Sequence, residues 1–290
     1  MEALTLQLLF NGVALGAAYG LLALGFALTL RAAGAINFAH GDVAVAAAYA
    51  AIAAGSLGIG GGWSIGLALI AGGGLGLAVA SLAWAPLRRR PIETTFIAAI
   101  AIGVIIQNGL TATFGGAPQA TDAFAGGGWH IGALYVSAAA ATGIALAAAA
   151  FGLAAFILLG TQIGRRLRAA AEDPDIALSH GIPVLELAFG AFAASGALAG
   201  LAGILLASQH FATPLAGADY ILKAYIAATV AGWGRILPTA VAALLIALFE
   251  TIGAALMGHA IAEGALYCAF ILLLAFRPQG LAGESVGRRA

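Results

Sequence analysis

Residues 4–30 read LTLQLLFNGVALGAAYGLLALGFALTL, 27 residues without a single Asp, Glu, Lys or Arg. As a helix, such a run would be roughly 40 Å long at 1.5 Å per residue. The hydrocarbon core of a bilayer is about 30 Å thick, so the run reads as a membrane span with length to spare for tilt. No Lys or Arg precedes Arg31, so the basic flank of a cleaved signal peptide is missing. The whole chain is built in the same way. Of its 290 residues, 12 are Lys or Arg and 12 are Asp or Glu, which is 8% charged. Soluble chains carry about 25%. Hydrophobic residues reach 62%, and mean hydropathy is +1.04. This composition excludes a soluble enzyme, a nucleic-acid binder and a disordered chain. The lone cysteine, Cys268, has no partner for an internal disulfide.

Outward from the first span, charge-free runs mark the next ones. Val43–Leu87 holds 45 residues without a charge, divided by Gly58, Gly60, Gly61 and Gly62. It reads as a short helix over Val43–Ala54 and a longer one over Trp63–Pro86. Phe96–Phe114, Leu134–Gly160, Leu187–Ser208, Tyr220–Trp233, Ile236–Met257 and Ile261–Phe276 complete the set. The expected fold is an all-α, polytopic transmembrane bundle of about nine spans, some short or broken, forming one domain over residues 1–290. Arginine clusters at Arg88–Arg90, at Arg165, Arg166 and Arg168, and at Arg277, Arg288 and Arg289 fall on one side by this count. The positive-inside rule makes that side cytoplasmic, with the N-terminus outside and the C-terminus inside. Gly12, Gly16 and Gly20 share one face of the first helix, and the pairs Gly72/Gly76 and Gly196/Gly200 repeat the spacing. Small residues so placed let helices approach closely in lipid.

No soluble catalytic motif is present. The five histidines are scattered, and the single Lys, Lys223, stands in no phosphate-binding loop. No metal or cofactor site is expected, and ATP-driven work would need another chain. Three polar features stand out against the apolar background. Ile36–Asp42, INFAHGD, interrupts the chain between the first helix and the short second one. It reads either as an ordinary turn, with Asp42 capping the next helix, or as a helix break lining a cavity at membrane depth. In the latter case Asp42 would accept backbone N–H bonds and His40 would reach a carbonyl, with Asn37 beside them. The polar stretch Thr161–Glu186 sets Arg165, Arg166 and Arg168 ahead of Glu172, Asp173 and Asp175. A short helix over Asp175–His180, capped by Asp173 and ended by Gly181, is expected there. Within the spans, Lys223 and Glu250 are candidates for a buried ion pair, and Gln107 and Asn108 for interhelical hydrogen bonds.

These stretches carry a resemblance. INFAHGD resembles the signature of the branched-chain amino-acid ABC transporter permeases, the Liv-type family. Pro86–Pro91 (PLRRRP), Ile102–Gly109 (IGVIIQNG), Arg165–Val184 (RRLRAAAEDPDIALSHGIPV) and Arg277–Gly283 (RPQGLAG) are similar to family segments in the same order. The resemblance spans nearly the whole chain. The family's late glycine-rich stretch matches Ala231–Ala240, with Gly232 and Gly234 retained but Ala231 and Pro238 departing from the pattern.

The resemblance implies a permease subunit of an ATP-driven importer in a bacterial inner membrane. Its small-molecule substrate would be a branched-chain or other hydrophobic amino acid. A second related permease, two ATPase subunits and an external solute-binding protein are the implied partners, within the lipid bilayer and without nucleic acid. Residues 161–186 would be the ATPase coupling loop. A stand-alone secondary transporter or channel is the alternative, and it would be expected to carry carboxylates deep in the spans. Paired breaks at Ile36–Asp42 and Ala231–Pro238 point to repeated halves, although no direct sequence repeat joins them.

Overall fold

The computed structural model describes residues 2–121, 123, 124, 126–232 and 235–277. Gly234 and the tail beyond Arg277 lie outside the described residues. The chain is a helical bundle. In order it forms α1 (Glu2–Ala33), α2 (His40–Ser56) and α3 (Gly62–Val79), which runs through a π-helical turn (Ala80–Trp84) into α4 (Ala85–Leu87). Then come α5 (Ile92–Phe114), α6 (Ala138–Ala155) with a second π turn (Phe156–Gly160), and the short α7 (Gln162–Glu172) and α8 (Pro174–Ser179). The last helices are α9 (Val184–Gln209), α10 (Gly217–Ala231), α11 (Ile236–Met257) and α12 (His259–Phe276).

Among the described residues, seven helices are long and apolar enough to cross a membrane. The two that separate this count from the expected nine are α2, with 17 residues, and α10, with 15. The all-α expectation also needs a small correction. Gly128–Ile131 (β1) and Leu134–Ser137 (β2) pair antiparallel as a hairpin, so Leu134 begins a strand and not a span. An apolar run as short as Leu-Tyr-Val-Ser has no periodicity that separates strand from helix. Ser137 ends it as the α6 N-cap, its side chain accepting from Ala140 N.

Two helices form the centre. The most apolar windows of α1 and α9 are 78% and 67% buried, and every other span reaches 33% at most. Glycines bring the backbones together. A Cβ on Gly72 or Gly76 of α3 would strike the carbonyl of Gly196 or Phe192 on α9, and a Cβ on Gly200 would strike that of Ala68. These contacts run α3 antiparallel to α9. On the other side, Gly12, Gly16 and Gly20 of α1 face Leu248, Leu244 and Ala243 of α11, again antiparallel. Without a hydrophobic driving force between helices in lipid, such close van der Waals contact supplies the cohesion.

The arrangement has internal symmetry. α1 packs on α11 as α9 packs on α3, and α10 lies against α1 as α2 lies against α9. The N-terminal part of α1 and the C-terminal residues of α9 line one cavity, which holds Gln7, Asn11, Gln209 and His210. The opposite ends of the same two helices line another, with Arg31, Arg88, Arg89, Val184 and Glu186. The triplets α1–α2–α3 and α9–α10–α11 are therefore packed alike but run in opposite senses.

Candidate functional site

The two short helices begin against one another. A Cβ on Gly41, in the first turn of α2, would collide with the Gly217 carbonyl at the start of α10. A Cβ on Gly217 would collide with the Asp42 carboxylate, and one on Gly103 of α5 would do the same from the other side. Gly103 and Gly217 thus make the space in which Asp42 sits, 5% exposed, between α2, α5 and α10. Gln107 Nε2 of α5 donates to Asp42 Oδ1 at 2.9 Å. Asp42 is not the cap of α2. That position is Ala39, which makes no side-chain cap bond, and Asp42 lies within the first turn. A carboxylate there still complements the positive end of the helix dipole.

His40 is fully buried and anchors the same turn to the central pair. Its Nε2 lies 3.1 Å from the Leu22 carbonyl of α1, and its Nδ1 lies 3.2 Å from Ser195 Oγ of α9. A carbonyl only accepts, so Nε2 carries a proton and donates to Leu22, while Nδ1 pairs with the serine hydroxyl. Both ring nitrogens are partnered, and the ring ties α2 to α1 and α9 at once. A Cβ on Gly25 would lie 2.7 Å from His40 Cε1, so this glycine admits the ring. Asn37 is 3% exposed, and its Oδ1 has no hydrogen-bond partner among the described residues. It lines a small void with Thr95, Trp84 and Phe192. The second break is marked by Gly232, at φ +79°, which ends α10 in the conformation that suits glycine.

A second polar cluster is centred on Lys223 of α10. Its Nζ lies 2.8 Å from Asp219 Oδ2, 2.8 Å from Glu250 Oε1 on α11 and 3.7 Å from Glu263 Oε1 on α12. Tyr19 Oη of α1 donates to Glu250 Oε2 at 3.0 Å, and Tyr267 Oη contacts both Asp219 and Glu263. The Lys223 ammonium also stands 5.4 Å from the centre of the Tyr19 ring. One cation therefore ties four helices together. Glu250 borders a cavity of about 700 Å³ at the end of the bundle away from the arginines, lined also by Gln7, Asn11, His210 and His259.

At the arginine end, Thr161–Glu186 folds into α7 and α8. Asp173 caps α8, accepting from Asp175 N and Ile176 N. Gly181 follows at φ +75°. Arg168 donates to the Leu158 carbonyl in the π turn. Arg165, Arg168, Glu172 and Asp173 are thereby placed on a helical hairpin below α1 and α9, and Pro174, Asp175 and Leu178 line a cavity with Arg31, Arg88 and Arg89.

Residues 8–275 match the family model described as branched-chain amino acid transport system, permease component. The chain belongs to this permease family. Relatives extend along its length. The high-affinity branched-chain amino acid transport system permease protein LivH of Escherichia coli K12 is 29% identical over 96% of each chain. The probable branched-chain amino acid permease LivH of Methanocaldococcus jannaschii is 30% identical over 80% of this chain and 76% of its own. The ribose import permease RbsC of Haemophilus influenzae is 36% identical over 33% of this chain and 32% of its own. No solved structure matches. This permease is a transport subunit, a multi-pass helical protein of the inner membrane.

The permease fold brings together residues that are far apart in sequence. Asp42 meets Gln107, and Lys223 meets Glu250, whereas among the described residues Asn108 bonds within its own helix, Nδ2 donating to the Val104 carbonyl. Sequence reasoning missed Tyr19, Asp219, Glu263 and Tyr267 around Lys223. Asp219 stands four residues before Lys223 on one helix face, a readable signal. The tyrosines and Glu263 carry none. Ser195, Gly103 and Gly217 were missed for the same reason, because their roles depend on what lies opposite.

Proposed function

We propose that this permease carries branched-chain or other hydrophobic amino acids as one half of an ATP-driven importer. One observation carries this reading: two short helices begin back to back at Gly41 and Gly217, inside a bundle whose halves run in opposite senses. Half-helices that meet within an inverted repeat are the usual build of a transporter centre. In this reading α2 and α10 complete nine membrane segments. Asn37, His40 and Asp42 hold the first bend, and Gly232 the second. The arginine end is cytoplasmic and the N-terminus external. Two ATPase subunits dock on residues 161–186, where the capped α8 offers a rigid protrusion. A second permease supplies the other half of the path. A solute-binding protein delivers solute at the opposite end, where the 700 Å³ cavity opens. The names of LivH relatives support the amino-acid substrate, and that of RbsC warns that nearby sequences serve other solutes.

The carboxylates around Lys223 favour a second reading, a stand-alone ion-coupled transporter. Reconstitution separates the two. Liposomes holding the two permeases and the ATPases should take up leucine only with internal ATP and the solute-binding protein. Uptake by this chain alone under a proton or sodium gradient would overturn the importer.

A further inference from the structure

The α5 helix is a membrane span with little cover. Of its 23 residues only Thr95, Ala99 and Gly103 are buried. The opposite face exposes Ile97, Ile100, Val104 and Ile105, with Asn108 among them. Neighbouring residues of the span point in different directions. Gln107 turns inward to Asp42, while Asn108 turns outward about one-third of a turn away. Asn108 Nδ2 donates back to Val104, which leaves its Oδ1 and second N–H without a partner in its own helix. Hydrocarbon offers neither, and an unpaired amide in an apolar medium costs several kcal/mol. The exposed faces of α6 and α12 carry no amide side chain. α6 shows Leu153 and Phe156 with alanines, and α12 shows Ile261, Ile271, Leu272 and Phe276. Those surfaces suit lipid tails.

What covers α5 must therefore be apolar over most of its area and offer one hydrogen-bonding group at the level of Asn108. A water-filled wall does not suit Ile97, Ile105 and Val104. Another helix does. Ala101, Gly109 and Ala112 are small and exposed, and nothing lies within 4 Å of a Cβ placed on Gly109. An amide both donates and accepts, so it suits a seam between like faces around a two-fold or pseudo-two-fold axis. A single polar residue in an apolar seam also fixes register. The seam lies on the far side of α5 from Asp42.

We infer that the second permease subunit seats on the α5 face, with Asn108 bonding a polar side chain of the facing span. This rests on the paired-permease reading above. The test uses the assembled transporter, with benzoylphenylalanine placed at position 108 or, as a lipid-facing comparison, at position 153. After irradiation the adducts are identified by peptide mass spectrometry, and native mass spectrometry counts permease chains. The expected result is a position-108 adduct with a transmembrane peptide of the other permease and a lipid adduct at position 153. Asn108→Leu should raise the fraction of dissociated permease about 3- to 10-fold in detergent, with Asn108→Gln restoring it, as fits interhelical amide bonds of ~0.6–1.4 kcal/mol. A two-permease complex whose position-108 adduct is with lipid overturns the seam alone. A complex holding one permease chain overturns the pairing itself.

Discussion

Replacing Lys223 with Met tests the polar cluster at its centre. The Lys223 side chain is 2% exposed, and that of its partner Glu250 is 7% exposed. Asp219 and Glu263 are 36% and 28% exposed, so water shares their charge. Lys223→Met leaves Glu250 buried, with the Tyr19 hydroxyl at 3.0 Å as its remaining hydrogen bond. Breaking a buried pair from one side costs about 3–5 kcal/mol, because the orphaned charge stays desolvated. The more hydrated carboxylates add little. Glu250→Gln acts differently. Lys223 keeps Asp219 at 2.8 Å, and the new amide still accepts from the ammonium, so the loss should be about 1 kcal/mol.

The double variant, Lys223→Met with Glu250→Gln, removes the orphaned charge and should recover at least half of the Lys223→Met loss. The assay is thermal unfolding in detergent, read as the surviving size-exclusion peak after heating. At ~2–4 °C per kcal/mol for a chain of this order of size, Lys223→Met should lower the midpoint by roughly 10 °C and Glu250→Gln by about 3 °C. Equal shifts for the two single variants, or a double variant no better than Lys223→Met, would refute the view of Lys223 as the hub.

Other outcomes follow from the close contacts. Gly72→Ala should destabilise the protein in the same melting assay, since its Cβ meets the Gly196 carbonyl, whereas Gly74→Ala, with open space around it, should stabilise by about 0.5–1 kcal/mol. Gly217→Ala should insert normally yet lose most uptake, because the new methyl lands on the Asp42 carboxylate; wild-type uptake would contradict that contact. Asp173→Ala removes the α8 cap, worth about 1 kcal/mol, and should speed hydrogen exchange of the α8 amides while lowering transport per ATP hydrolysed. Unchanged exchange would show that the cap is idle.

Spans were legible because charge is so scarce that each polar interruption marks an end. The glycine spacings were legible for a similar reason, and Gly72, Gly76, Gly196 and Gly200 do meet across α3 and α9. The start of α2 was not. His40, Gly41 and Asp42 are poor company for a membrane helix in isolation, so the helix was read from Val43, yet it begins at His40. Tertiary partners decide the matter. Leu22 and Ser195 satisfy the His40 ring and Gln107 the Asp42 carboxylate, and these lie 18, 155 and 65 residues away. A sequence holds no local trace of such pairings. Inverted symmetry is hidden likewise, since it lies in how the helices pack and not in any sequence repeat.

The meeting of α2 and α10 also poses an electrostatic problem whose solution bears on transport. Each helix N-terminus carries roughly half a positive charge. Two brought together in a low-dielectric bundle repel, and the repulsion grows as the backbones approach to glycine contact. Asp42 supplies about one negative charge at that point, roughly the sum of the two. Gln107 orients the carboxylate, and Gly103 and Gly217 leave it room. Asp42 thus offsets the positive ends of both helices before any solute arrives. Within the importer reading, this matters because an uncompensated pair of N-termini would hold the carboxylate of an amino acid tightly, and a path that binds its cargo tightly releases it slowly. With Asp42 in place, affinity is left to the external solute-binding protein, and the permease need only present a passage. Asp42→Asn, which keeps the shape and removes the charge, should then raise solute retention by the detergent-solubilised transporter while slowing uptake. An Asp42→Asn protein that holds no more leucine than wild type would show that the two N-termini are satisfied by other means.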